Sequence, residues 1–148
     1  MSMRQQFTAR EWETLQFAPL WLFLMVAGAD RKVQKQEVAA LAKELAEAHL
    51  YRNDLAREVF GSVAADFGRI WPAFGADPRG IVEGLQEVVR VLRKVNASEA
   101  EGFKRSLIFL GSKVAEAGGG GGLFRKKDTK KGQAALVLAA AVLEIQLP

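Results

Sequence analysis

Two acidic residues on either side of a short turn could hold a metal ion. Asp30 ends the first predicted helix and Glu37 occupies the third position of the second, with the turn RKVQ between them. Both side chains could then share one gap between the helices, where carboxylate oxygens would suit a hard cation. The alternative is that Glu37 stabilises the N-terminus of its own helix and Asp30 stabilises the turn. The residues favour this second, capping role.

A second group of charged residues could bind an anion. Five of the seven residues from 125 to 131 are basic, namely Arg125, Lys126, Lys127, Lys130 and Lys131. They follow the glycines 118–122 and lie on the connector and on the first turn of a predicted helix that starts near Thr129. Cations at a helix N-terminus oppose the helix dipole, at roughly a few tenths of a kcal/mol each, so their position hints at a bound anion. A solvated, flexible loop over 118–128 is the alternative interpretation.

The residues around these cations argue against two kinds of anion site. A phosphate-binding P-loop needs a strand before its glycines and Gly-Lys-Ser/Thr at the start of the next helix, and neither pattern occurs here. Aromatic residues that could stack on bases are not interleaved with the cations, so a nucleic acid partner is not expected. A phospholipid head group or an acidic protein is the anion that we expect instead.

The rest of the residue inventory limits the chemistry. The chain has no cysteine, which excludes disulfides, thiolate metal sites and cysteine nucleophiles. His49, the single histidine, follows the second predicted helix, where a histidine is usually a dipole partner or a surface residue. No nucleophile, base and orienting group can be named together, so neither an enzymatic reaction nor a small-molecule substrate is predicted. Trp12, Trp21 and Trp71 are expected in the core rather than in a ligand cage.

Bulk properties are those of one folded domain, which we assign to residues 1–148. Hydrophobic residues make up 49% of the chain and charged residues 26%, a balance typical of soluble globular proteins. The apolar stretches 17–29 and 134–143 are shorter than the roughly 20 residues of a membrane-spanning helix. The N-terminus lacks the apolar core of a secretion signal, so we expect a cytoplasmic protein. The net charge of +4 permits an anionic partner.

Helical periodicity without strand patterns predicts an all-α fold of about six helices. A capping box at 8–11 opens the first, in which Pro19 either makes a kink or starts a new helix. Further helices are predicted over 35–48 and 53–67, from Pro78, after a second capping box at 96–99, and from Thr129. Residues 68–77 are rich in glycine and proline, which predicts a turn-rich connection. The last helix is apolar nearly all round, which predicts a central position.

Two stretches carry a resemblance to a known family. The stretch EWETLQFAPLWLFLMVAGADRKVQKQEVAAL, residues 11–41, resembles the opening of the tellurite-resistance TerB-like family. In that family a helix ending in Ala-Asp-Gly is followed by a turn, an acidic position and an amphipathic helix. The stretch FLGSKVAEAGGGGGLFRKKDTKKGQAALVLAAAVLEI, residues 109–145, resembles the second half of the pattern. Asp30 and Glu37 match the two acidic positions, whereas Arg31, Gln34 and Gly132 depart from the pattern.

The resemblance implies a compact, pseudo-repeated array of helix-turn-helix units. It implies a non-enzymatic interaction or scaffold protein, linked to tellurite resistance and stress responses, that joins a protein partner in a membrane-associated complex. It also implies a divalent cation, Ca²⁺ or Mg²⁺, bound weakly at Asp30 and Glu37. The alternative function is that of a peripheral protein of the inner membrane surface, which binds anionic lipid or an acidic partner through the basic residues 125–131.

Overall fold

Seven α-helices account for most of the described chain. The computed structural model describes residues 2–28, 33–119 and 126–145, with side chains described outside 117–131. Within these residues there are also three short 3₁₀ turns and no strand, so the all-α prediction is confirmed. The helices are α1 (Ala9–Ala27), α2 (Lys35–Ala46), α3 (Asp54–Ala65), α4 (Phe67–Ala76), α5 (Ile81–Val91), α6 (Ala97–Gly119) and α7 (Lys126–Val142).

Helix α1 begins at the predicted capping box. The Thr8 hydroxyl accepts a hydrogen bond from the Glu11 amide at 3.1 Å, and the Thr8 amide donates to the Glu11 carboxylate at 2.8 Å. Both N–H groups would otherwise lack a partner at the start of the helix. Pro19 lies inside the helix, which continues to Ala27, so no second helix starts there.

Helix α1 is the centre of the bundle, and the prediction of a central last helix is wrong. Large apolar side chains from Trp12 to Phe23 are buried on every side of α1, which contacts α3, α4, α5, α6 and α7. Helix α7 contacts α1, α5 and α6 from the edge. Its apolar residues are mostly alanines, which bury far less area than the leucines, phenylalanines and tryptophans of α1. We infer that α1 takes the central position because its side chains are larger than those of α7.

Residues 67–76 form helix α4, so the predicted turn-rich connection is also wrong. Pro72 lies inside this helix, and Gly68 and Gly75 are helical residues. Ile70 and Phe74 are buried, and the Phe74 ring contacts the rings of Phe17 and Trp21. We infer that this burial outweighs the low helix propensity of glycine and proline. Helix α5 accordingly starts later than predicted, at Ile81 rather than at the proline in position 78.

Arg79 ties the connection between α4 and α5 to α1. Arg79 donates to both carboxylate oxygens of Asp77, at 2.9 and 3.0 Å, and to the Thr14 hydroxyl at 3.0 Å. Its guanidinium carbon lies 4.9 Å from the ring centroid of Trp21. A Cβ placed on Gly84 would lie 2.3 Å from that indole, so glycine is required for α5 to pack this closely on α1.

Helices α3 and α6 share one capping arrangement at their N-termini. The Asn96 side chain accepts from the Glu99 amide at 2.8 Å, as predicted for a capping box. The Glu99 carboxylate, however, accepts from the Leu55 amide at 2.8 Å and therefore caps α3 rather than its own helix. Asn53 returns the contact by donating to the Glu99 carbonyl at 3.1 Å. The start of α3 thus depends on residues more than forty positions later.

The two ends of the predicted loop 118–128 are helical. Helix α6 continues to Gly119 and α7 begins at Lys126, so the connection between them is residues 120–125, outside the described part. No helix among the described residues is long and apolar enough to cross a membrane.

Candidate functional site

Glu37, one of the two predicted metal ligands, is a buried capping residue. It is the third residue of α2, and its carboxylate accepts a hydrogen bond from the Gln34 amide at 3.0 Å. On one side it meets apolar residues, since Glu37 lines a small cavity with Phe23, Val26, Ala27, Val114 and Ala115. The contact with Gln34 supports the capping role that the sequence favoured.

The described surroundings of Glu37 do not fit a divalent cation site. Asp30 lies outside the described residues, and within the described part no group of three or more acidic or histidine side chains is arranged to hold a metal. Ca²⁺ and Mg²⁺ take six or more oxygen ligands, whereas one oxygen of Glu37 already accepts from a backbone amide. Cation binding at Asp30 and Glu37 stays a prediction. His49 is exposed on the 3₁₀ turn Ala48–Leu50.

The predicted anion-binding residues belong to the start of α7 and the segment before it. Arg125 lies outside the described residues. Lys126, Lys127, Lys130 and Lys131 lie in the first turns of α7, and their side chains are outside the described part. The structure therefore places Lys126 and Lys127 in the first turn of a helix, where the helix dipole disfavours cations and favours an anion, and Lys130 and Lys131 in the next turn.

Close packing fixes the inner face of α7. A Cβ placed on Gly111 would lie 2.9 Å from Leu136 and 3.2 Å from Leu22, so this glycine lets α6, α7 and α1 meet. Ala139 on α7 and Leu143, the residue that follows the helix, are fully buried. The orientation of α7 about its own axis is therefore set by its contacts with α1 and α6.

The opposite face of α7 is apolar and exposed to solvent. Val137 is 72% exposed and Leu138 is 54% exposed. Ala134 and Ala141, which are one turn away on either side, are exposed as well. We call these four residues the outer face of α7. Their spacing was not a signal in the sequence, because α7 is apolar on both faces and its periodicity does not distinguish them.

Comparison with known proteins identifies a relative without assigning a function. The chain is 32% identical over 120 residues to an uncharacterized protein, ORF11', of Methanothermobacter thermautotrophicus. The match covers 78% of this chain and 79% of the archaeal protein. The chain belongs to that protein's family. No family model matches the chain, and no solved structure matches it significantly.

Proposed function

We propose that the chain is a non-enzymatic interaction protein that docks an acidic protein partner along α7. The observation that carries this proposal is the outer face of α7, an exposed apolar stripe that continues from the basic first turns of the same helix. An exposed apolar stripe that a fold leaves unburied commonly marks an interaction surface. The partner would offer an apolar groove to the outer face and acidic residues to the helix start.

The size of the outer face explains why the partner should be acidic. Burying a valine or leucine side chain completely is worth about 1.5–3 kcal/mol. With 72% and 54% of their surfaces still exposed, Val137 and Leu138 together offer about 2–4 kcal/mol. A micromolar complex needs about 8 kcal/mol. The basic residues 125–131 are the nearest source of the remainder, and they require a negatively charged surface opposite them.

The TerB-like assignment is part of the same proposal. Its support is the order of the elements, since a short segment joins α1 to α2 and another joins α6 to α7, although only α6 and α7 pack on each other and α2 packs on α3 and α6. The helix ends that flank these segments lie at one end of the bundle. A Cβ added to Gly132 would lie 3.9 Å from Ala115 and 4.0 Å from Val26, and Glu37 of α2 lines a cavity with the same two residues. A role in tellurite or stress responses, within a membrane-associated complex, rests on the resemblance alone.

A second candidate is binding to an anionic membrane surface, and the same helix favours it. A helix with an apolar outer face and cations at one end can lie in the plane of a bilayer interface. Each Lys or Arg near an anionic bilayer contributes about 1 kcal/mol, and salt screens this contribution. Five cations added to the outer face would then give an affinity similar to that of the protein complex.

One experiment separates the two candidates. A photocrosslinker is placed at Ala134 on α7 and, as a control, at the exposed Val82 on α5. We expect discrete protein adducts from position 134 only, which disappear in a Val137→Ser/Leu138→Ser variant and in a Lys130→Gln/Lys131→Gln variant. Because Val137 and Leu138 are exposed, the first variant should fold normally, and circular dichroism checks this.

Sedimentation with vesicles tests the membrane candidate. Pelleting with anionic vesicles in low salt, release in high salt and no pelleting with neutral vesicles would favour the membrane. Equal crosslinking from positions 134 and 82, together with no pelleting, would contradict both candidates.

A further inference from the structure

Helix α7 carries charges at both ends that oppose its own dipole. Four of the six residues 126–131 at its start are lysines. Glu144 follows its last turn, is exposed, and forms no ion pair within the described part of the chain. A helix dipole favours anions at the start and cations at the end, so both ends of α7 carry the disfavoured sign. A neighbouring helix that runs in the opposite direction would place each of these ends beside the dipole end that favours it.

The backbone of Glu144 has a conformation that glycine usually supplies. Its φ is 56°, and it is the single described residue other than glycine with a positive φ. The Glu144 amide donates to the Ala141 carbonyl and the Ile145 amide to the Ala140 carbonyl, both at 3.1 Å, which closes α7 in a Schellman motif. Glycine is the usual residue at this position because it adopts a positive φ without strain. The strain at Glu144 therefore indicates that its side chain has a role beyond closing the helix.

The outer face of α7 is symmetric about its midpoint. Its two large residues, Val137 and Leu138, lie at the centre, and Ala134 and Ala141 lie one turn before and one turn after them. When a second copy of this helix is laid against the first in the opposite direction, Val137 and Leu138 each meet the same residue of the second copy, and Ala134 meets Ala141. An interface between two copies that are related by a two-fold axis requires a face that matches itself in this way.

We propose that two copies of the chain pair through their outer faces, with the two α7 helices antiparallel and a two-fold axis at the level of Val137 and Leu138. Lys131 lies as far before this level as Glu144 lies after it, about 10 Å along the helix at about 1.5 Å per residue. The lysine-rich start of each α7 then lies beside the end of the other, where the helix dipole and Glu144 of the second copy are both negative. The two-fold axis repeats this contact, so it forms twice in the pair.

This inference rests on the function proposed for α7, because it names the occupant of the same face. That function requires an acidic group opposite the helix start and an apolar surface opposite the outer face. The chain is basic overall, with a net charge of +4, but a second copy meets both requirements through Glu144 and its own outer face. It also contributes its own Val137 and Leu138, which doubles the apolar surface that binding removes from water. We therefore expect a dissociation constant in the micromolar range.

Disulfide formation between introduced cysteines tests the direction and register of the pair, since the chain has no cysteine of its own. Two cysteines can bond when their Cα atoms lie within about 7 Å of each other. The purified Leu138→Cys variant should form a disulfide dimer on oxidation at least about tenfold faster than Val82→Cys, an exposed control on α5. Ala134→Cys and Ala141→Cys should each match this control when alone, because the two copies of either position are at least about 10 Å apart. Mixed together, these two variants should form a disulfide as fast as Leu138→Cys.

Charge reversal tests the contact between helix ends, with dimerisation measured by sedimentation equilibrium. Glu144→Lys and Lys130→Glu/Lys131→Glu should each weaken the dimer about tenfold, because each variant places like charges together at both ends of the pair. The three substitutions combined should restore it. Glu47→Lys at the end of α2, which packs on α3 and α6, should leave it unchanged. Glu144→Gly should weaken the dimer and yet raise the melting temperature of the dilute monomer, because it relieves the positive φ. A purely structural glutamate would not separate association from stability in this way.

Three outcomes would overturn the proposal. These are a chain that stays monomeric up to about 1 mM, a disulfide dimer of Ala134→Cys that forms as fast as that of Leu138→Cys, and a combined charge variant that does not dimerise. A monomeric chain whose photocrosslinker at position 134 captures an acidic protein would exclude the second copy and leave the function proposed for α7 intact. A monomeric chain that shows neither this capture nor pelleting with anionic vesicles would contradict both.

Discussion

The stability of the bundle should be highly sensitive to one methyl group added where α5 packs on α1. In a Gly84→Ala variant the new Cβ would lie 2.3, 2.4 and 2.6 Å from three atoms of the Trp21 indole. Real Cβ atoms essentially never approach other heavy atoms so closely, so either the indole or α5 must move. The variant therefore tests how closely the two helices pack.

The indole has little room to move. The Phe17 ring packs edge-on against Trp21 at 5.7 Å, the Phe74 ring packs at 5.9 Å, and the Arg79 guanidinium lies over the indole. Overpacking a core costs typically about 1–3 kcal/mol, and clashes with three ring atoms place this variant high in that range. The higher helix propensity of alanine offsets about 1 kcal/mol of this cost. We expect a net loss of about 1–2 kcal/mol in the free energy of unfolding.

Urea denaturation followed by circular dichroism measures this loss, and Gly61→Ala is the matched control. Gly61 lies within α3, and a Cβ there would meet only the Ala48 Cβ at an ordinary 3.9 Å. The control should therefore be more stable than the wild type by about 0.5–1 kcal/mol. If both variants were stabilised equally, α5 would not pack on the Trp21 indole as described, and the reasoning would fail.

Three further predictions concern side chains at helix ends. Glu99→Ala should destabilise the fold by about 1–2 kcal/mol in urea, because the Leu55 amide in the first turn of α3 loses its acceptor, although Asn53 still caps the Ala56 amide. Hydrogen bonds from Arg79 hold the pKa of Asp77 below its usual range. A carboxyl group whose pKa is lower in the folded state than in the unfolded state stabilises the fold above its unfolded pKa. This stabilisation is lost as the pH falls through the folded pKa. The stability advantage of the wild type over Asp77→Asn should therefore shrink below about pH 4. If Asp30 and Glu37 bind Ca²⁺ or Mg²⁺, calorimetry should show heat at millimolar metal that Asp30→Asn/Glu37→Gln abolishes.

Each of these has its control. Glu87→Ala removes only an exposed pair with Arg90 and should cost less than about 1 kcal/mol, so an equal cost would argue against capping by Glu99. A constant difference between wild type and Asp77→Asn from about pH 6 to about pH 3 would contradict the pH prediction. Absence of heat in the wild-type protein would end the cation prediction.

Local sequence patterns predicted where helices start better than they predicted which helices pack together. The Thr8 capping box is complete within four residues, so the sequence alone identifies it. The second box is recognisable too, but its Glu99 caps α3, a contact that depends on how two distant helix starts meet. Helix α4 was missed because glycine and proline are local signals, whereas the burial of Ile70 and Phe74 that maintains it is tertiary.

The candidate surfaces depended even more on packing. Periodicity shows that α7 is apolar, but only its packing against α1 and against Gly111 on α6 reveals which face is covered. Glu37 could be assigned its capping role from its position in α2.

The central position of α1 has a consequence for biosynthesis. This helix has large apolar side chains on every side, yet the ribosome makes it before α5, α6 and α7, which cover it. Until those helices emerge, the nascent chain exposes an apolar segment that can aggregate or bind a chaperone. Premature termination within α5 should therefore yield an insoluble product rather than a smaller folded protein.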